Sequence, residues 1–193
     1  MKLELVQQPD TEIISLQEVK DYLNISHDFE DDMLKFLIKA TREAIETVMQ
    51  KSIIHQTWRY TLSRNEFANL NSDGRPCVFG PSIKIPMPRP PLLEVIEVKI
   101  DDKIIDRRRI KIEKINHTFF VYVNNVRNFD SSENVTITYT AGIASLPIGV
   151  PYQIKLANLM LVANAYQDRY HSTNQMPQGI RDLLNPFLNL RIF

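Results

Sequence analysis

Apolar residues recur at helical spacing towards both ends of the chain and alternate with polar ones in between. Ser15-Leu16-Gln17-Glu18 has the spacing of a capping box, and Leu16, Val19 and Leu23 follow at helical intervals, which predicts a short helix ending near Asn24. Asp28, Glu30, Asp31 and Asp32 then cluster where a helix N-terminus favours negative charge. Leu34, Leu37, Ile38, Thr41, Ala44, Ile45 and Val48 keep the helical period, so a second helix runs to about Gln50, roughly 30 Å long. Its opposite face carries Lys35, Lys39, Arg42, Glu43 and Glu46, which reads either as a solvated surface or as a subunit contact.

From Ile53 to Gly142 the period changes to two, in short runs rich in β-branched and aromatic residues. Ile54 to Leu62, Leu93 to Ile100, Thr118 to Val123 and Val135 to Thr140 read as antiparallel strands or hairpins, with turns at Asp101-Asp102 and Asn124-Asn125. Pro81 and the run Pro86-Met87-Pro88-Arg89-Pro90-Pro91 force an extended connection, either a rigid linker inside the fold or a polyproline ligand. Val150-Pro151 opens a third helix, in which Ile154, Ala157, Leu161 and Ala165 form a stripe that Leu156, Leu159, Met160 and Ala163 broaden. That helix is apolar on most sides, which predicts a central position, and it stops near Tyr170. A polar loop from His171 leads to a short last helix that Pro186 ends or kinks.

The fold expected is therefore α+β in a single domain, 1–193. A mainly helical core, 12–50 and 150–193, has two N-terminal and two C-terminal helices, and an antiparallel β insertion occupies 53–142. The chain keeps large apolar residues to its last position, and this segment either packs back on its own core or is covered by another subunit.

Charge narrows the function. Lys plus Arg and Asp plus Glu both total 23, for a formal net charge of +0, which argues against a generally basic nucleic-acid binder or a membrane-surface protein. The beginning of the sequence lacks the apolar core of a signal peptide, and no stretch approaches the roughly 20 apolar residues of a membrane helix. Arg107-Arg108-Arg109 is the one basic run, with Lys103, Lys111 and Lys114 nearby. It reads as a hairpin tip or edge that either touches phosphates or discourages edge-to-edge pairing.

Chemistry is sparse. The one cysteine, Cys77, permits no intramolecular disulfide and has no histidine close in sequence. His27, His55, His117 and His171 lie far apart, without metal-ligand spacing, and none of the five glycines stands in a phosphate-cradling loop. Asp28 to Asp32 lacks the alternating ligands and central glycine of a calcium loop, so it reads as a helix start. No catalytic, cofactor or metal residue is assigned, and no cofactor is expected.

In order along the chain, Leu16 to Leu23, the acidic start at Asp31-Asp32, the long helix with Ala40 and Ala44, and Gln56-Thr57-Trp58 form a series similar to the tailed-phage head–tail connector (adaptor) family. Pro88-Arg89-Pro90-Pro91-Leu92, Thr138 to Gly142, Val150-Pro151 with Ile154-Lys155, Tyr166 to Arg169, and Gly179-Ile180 with Leu183 to Phe187 continue the resemblance. The sequence departs from the family pattern in its strand-rich middle, 101–130, and past Phe187. The resemblance implies a structural, non-enzymatic virion protein of a phage, prophage or phage-like particle, made in the bacterial host cytoplasm. It implies a ring of about a dozen copies around the DNA channel, between the portal and stopper or tail proteins, with transient DNA contact and no membrane.

Such a ring closes head to tail, so each copy needs two different faces. Lys35, Lys39, Arg42, Glu43 and Glu46 are the candidates for one face. Ile180, Leu183, Leu184, Phe187, Leu190, Ile192 and Phe193 are the candidates for docking on the portal or a neighbour, and Arg107, Arg108 and Arg109 for contact with channel DNA. The competing readings are another joint protein (head closure or tail terminator), a small hydrolase using His117 or Cys77 with a carboxylate, and a DNA-binding regulator.

Overall fold

The computed structural model describes residues 1–66, 77–79, 82–126, 134–167 and 176–188. The turn-rich stretch 71–76, Pro81, His171 and the segment from 189 onward lie outside the described residues. Helices and antiparallel strands are both present, as expected for an α+β chain, and they fall into two compact units. One unit takes Met1–Gln8 with His55–Gly142, and the other Pro9–Ile54 with the described part of Ile143–Asn189.

In the helical unit, local chemistry sets the boundaries. Helix α1 (Leu16–Leu23) begins at the anticipated capping box: Ser15 Oγ accepts from the Glu18 amide at 3.1 Å, and Glu18 Oε2 accepts from the Ser15 amide at 2.6 Å. Asn24 ends it in the left-handed conformation, φ 57°. Helix α2 (Asp31–Met49) ends in the same way at Gln50, φ 53°. Helix α3 (Tyr152–Gln167) follows Pro151, and α4 (Gln178–Leu184) runs into a 3-10 turn, Asn185–Phe187, that contains Pro186. The core of this unit gathers Ile13, Leu34, Ile38, Ile45, Met49, Ile53, Ile154, Ala157, Val162, Ile180 and Leu184.

The strand unit holds two antiparallel sheets. One has the order β1 (Lys2–Gln7), β2 (Gln56–Ser63), β9 (Asn134–Ala141), β5 (Leu92–Ile100), β6 (Lys103–Ile104). The other runs β3 (Cys77–Phe79), β4 (Ser82–Pro86), β8 (Thr118–Val123), β7 (Ile110–Ile115). Trp58, Tyr60 and Leu62 from β2, Val95 and Val98 from β5 and Ile137 and Tyr139 from β9 share one buried cluster with Ile83, Ile85, Val121 and Val123 of the second sheet. Two tight turns carry positive φ at both central residues: Asp101-Asp102 (45° and 61°), as anticipated, and Asn116-His117 (49° and 65°) between β7 and β8.

Three expectations change. The first residues form an edge strand that the sequence reading left unassigned: Leu3 pairs with Tyr60 and Leu5 with Trp58, and both leucines pack on the sheet core. The six-residue alternation Lys2-Leu3-Glu4-Leu5-Val6-Gln7 was the available signal. Arg107–Arg109 is not a hairpin tip. It is a single 3-10 turn between β6 and β7, capped by Asp106, whose side chain accepts from the Arg108 amide at 2.9 Å. Helix α3 is covered along Ile154, Ala157, Asn158 and Val162, while Tyr152 and Leu156 stay exposed, so it is not buried all round.

The proline run is a linker inside the strand unit, joining β4 of one sheet to β5 of the other. Tyr139, buried on β9, donates its hydroxyl to the Pro88 carbonyl at 2.8 Å, and the Gly142 amide donates to the Pro91 carbonyl at 3.1 Å. Burial, followed by the neighbouring Tyr60, drives the Tyr139 phenol far above its ordinary value, so it stays a donor at every working pH. The Arg89 guanidinium lies over the Trp58 ring, 5.4 Å from its centroid, and holds the middle of the run. Tyr139→Phe should therefore lower stability by ~1 kcal/mol with the fold intact, read as a shift in the urea midpoint at unchanged m-value.

Candidate assembly surfaces

Ion pairing decides which charges of the helical unit reach the surface. Lys20, buried on α1, donates to Asp28 Oδ1 at 2.6 Å and Asp31 Oδ1 at 2.8 Å. Glu30 accepts from the Tyr166 hydroxyl at 2.5 Å, and Asp32 pairs with Lys35 at 3.1 Å. The acidic cluster is thus occupied by the chain's own donors, consistent with a helix start.

Two residues assigned to the charged face of α2 turn inward. Arg42 is fully buried: its Nε donates to Glu12 Oε2 at 2.7 Å and its Nη1 to Glu46 Oε2 at 3.0 Å. Glu46, also buried, accepts from the Ile53 amide at 2.8 Å through its other oxygen. The physical reason is mutual: Arg42 and Glu46 stand at i and i+4, so each supplies the counter-charge that makes the other's burial tolerable. Their spacing was visible in the sequence, but the same spacing also describes an exposed pair. Lys35 and Glu43 remain exposed and Lys39 half-buried, and with them on α2 stands Phe36, an apolar residue 67% exposed that periodicity does not single out. Its signal was a large aromatic among charges.

The C-terminal candidates separate in the same way. Ile180 and Leu184 are buried in the helical core and are corrected from docking residues to core residues, because the period of α4 points them at α3. Leu183 and Phe187 are half-buried against that core, and Leu190, Ile192 and Phe193 lie outside the described residues. Up to Leu188 the segment packs back on its own core.

Of the three arginines, Arg107 bridges to Glu94 at 2.8 Å. Arg109 donates to the Asn124 carbonyl at 2.9 Å and to the Asn125 carbonyl. Arg108 is exposed, and among the described residues its side chain is the one of the three without a hydrogen bond or ion pair. Cys77 is buried on β3, and His117 is exposed in the β7–β8 turn. Among the described residues no group of three or more His, Cys, Asp or Glu could hold a metal ion, and no helix is long and apolar enough to cross a membrane.

A family model described as head completion protein matches residues 12–183, taking in all four helices and eight of the nine strands. The chain belongs to the head completion protein family. That makes it a structural component of the head–tail joint of a phage or phage-like particle, as the sequence resemblance implied. Solved chains share the fold of this chain at 18% identity, each aligning over 100% of this chain and 98% of its own length. One comes from the neck of a native gene transfer agent particle computed with C12 symmetry (TM-score 0.75) and one from the neck of an empty particle computed with C6 symmetry (0.75). A third comes from the virion of the native particle (0.73). None of the curated proteins matches.

Two stability predictions rest on the ion pairs of the helical unit. Arg42→Ala should cost about 3–5 kcal/mol in chemical unfolding, because it leaves Glu46 buried and uncompensated. Arg42→Met with Glu46→Gln should recover part of that, since the amide oxygen still accepts from Ile53. The second concerns pH. Hydrogen bonding from Lys20, then its charge, holds Asp28 below its ordinary 3.8. Asp28 and then Asp31 hold Lys20 above its ordinary 10.5. Asp28's depressed value contributes stability above 3.8 that is lost as pH falls, and Lys20's raised value contributes stability below 10.5 that is lost as pH rises. The Tm advantage of the parent over Lys20→Gln should thus be level between those limits and shrink at the acid end, measured by thermal unfolding across a pH series.

Proposed function

We propose that this chain acts without catalysis as one member of a closed ring, about a dozen copies, seated at the head–tail joint between the portal and the stopper or tail proteins. Family membership over residues 12–183 carries the reading. The C12 and C6 symmetries with which necks holding similar chains were computed support a ring.

In this reading the partly exposed Leu183 and Phe187, with the apolar Leu190, Ile192 and Phe193 that follow in sequence, dock on the portal or a neighbour. Lys35, Lys39 and Glu43 belong to a contact between copies. Contact with channel DNA falls to Arg108, since Arg107 and Arg109 are spent on Glu94 and on backbone carbonyls. A single arginine per copy, repeated around a ring, still gives the channel a belt of positive charge from a chain whose net charge is +0. The buried Cys77 takes no part, and the chain needs no cofactor.

Deleting the gene in a producing strain and imaging the particles by electron microscopy tests the function. DNA-filled heads beside separate, complete tails are the expected result; normal tailed particles would refute the proposal.

A further inference from the structure

Helix α3 carries one charged residue, Lys155, among its 16. Its buried side runs through Ile154, Ala157, Asn158 and Val162, and its exposed side mixes Gln153, Asn164 and Gln167 with apolar residues. Leu156 stands about 200° around the axis from Ile154 and so faces away from the core. It is 42% exposed, Tyr152 is 84% exposed, and Ile148, in the turn leading into the helix, is 87% exposed. These three form an apolar strip on the outside of the helical unit.

Helix α2 repeats the arrangement in the opposite sense. Its buried side, through Leu34, Ile38 and Thr41, meets α3: the Thr41 hydroxyl and the Asn158 side-chain oxygen lie 2.6 Å apart, and Tyr166 of α3 bonds Glu30 at the N-terminus of α2 at 2.5 Å. Phe36 lies about 200° around from Leu34, hence on the side away from α3. The helical unit therefore presents two outer faces, back to back across the α2–α3 pair. One is an apolar strip with a single cation beside it, Lys155, whose Nζ lies 5.8 Å from the Tyr152 ring centroid. The other carries the exposed aromatic Phe36 with Asp32 and Lys39 one turn to either side of it and Lys35 and Glu43 further off, an apolar centre with polar residues about it.

A head-to-tail ring sets a geometric demand. With twelve copies, the symmetry of the similar neck chain, successive subunits turn by about 30°, so the two contact faces of one copy point about 150° apart, close to opposite. The back-to-back faces of the α2–α3 pair meet that demand, and their difference in character makes them suitable for pairing with each other.

We infer that the occupant of the α3 strip is a second copy of this chain, whose α2 outer face sets Phe36 against Ile148, Tyr152 and Leu156. The inference rests on the ring reading and deepens it by naming the surfaces that join neighbours. It gives the exposed charges of α2 a role as a rim, holding register around an apolar anchor that supplies the affinity.

Cysteine cross-linking in assembled particles tests it. In a Cys77→Ala background, particles are prepared with Phe36→Cys and Tyr152→Cys together and with each alone, treated with a short bismaleimide, denatured and run on a gel. The double variant should lose its monomer band to a ladder of dimers, trimers and higher species, while each single variant stays monomeric. Lys35→Cys with Ile148→Cys is a second pair on the same two faces and should give the same ladder. Dimers from a single variant would mean that one face meets itself, which overturns the inference. Particles that contain the protein but give no ladder with either pair would also overturn it and leave the ring standing. Complete tailed particles lacking the protein would overturn both readings.

Discussion

The buried guanidinium of Arg42 is the constraint around which the helical unit is organised. It reaches Glu12, which precedes α1, and Glu46 on its own helix, and Glu46 in turn accepts from the Ile53 amide after the helix ends. Three segments separated in sequence are fixed by one guanidinium and its two carboxylates. A buried ion pair contributes little net stability, because desolvation offsets most of the attraction. What it supplies is geometry: any arrangement that leaves Arg42 or Glu46 unpaired in the interior is several kcal/mol worse. The apolar contacts of Leu34, Ile38, Ile45 and Met49 drive the unit together, and the ion pair selects how.

That choice was invisible to a reading of periodicity. The stripe Leu34, Ile38, Thr41, Ile45 on α2 was legible because apolar residues at helical spacing have few alternatives. Charged residues at the same spacing have two, an exposed pair or a buried one, and the sequence carries no local mark of burial. The strands divide along a similar line. Thr118–Val123 matches its expected bounds because every second residue is large and the flanking residues turn, whereas Lys2–Gln7 pairs with Gln56–Ser63 across some fifty residues and shows only a weak alternation of its own. The capping box at Ser15 and the turn at Asp101-Asp102 were legible for the opposite reason, since their chemistry is complete within four residues.

The apolar segments were legible in kind more than in place. The apolar character of α3 and of the C-terminal segment was plain, and so was the inference that something covers them. Which residues the chain's own core would take was not: it claims Ile180 and Leu184, leaves Leu183 and Phe187 at the margin, and leaves Tyr152 and Leu156 uncovered. A helical wheel gives the direction of a side chain, but burial depends on where the neighbouring helices happen to lie.

In the proposed ring each copy must be stable before it meets its neighbours and must still keep apolar surface in reserve for them. This chain meets both needs by dividing its apolar residues between the two sides of each helix. The inner sides of α2 and α3 close a core tightened by Arg42 and by the Thr41–Asn158 contact, so the outer sides are not needed for folding. Charge is then distributed unequally: α2 carries Asp32, Lys35, Lys39 and Glu43 as well as Phe36, while α3 carries the single cation Lys155. Two unlike faces favour contact with each other over contact with themselves, and a head-to-tail contact of that kind can close into a ring, where a self-matching face would stop at a dimer.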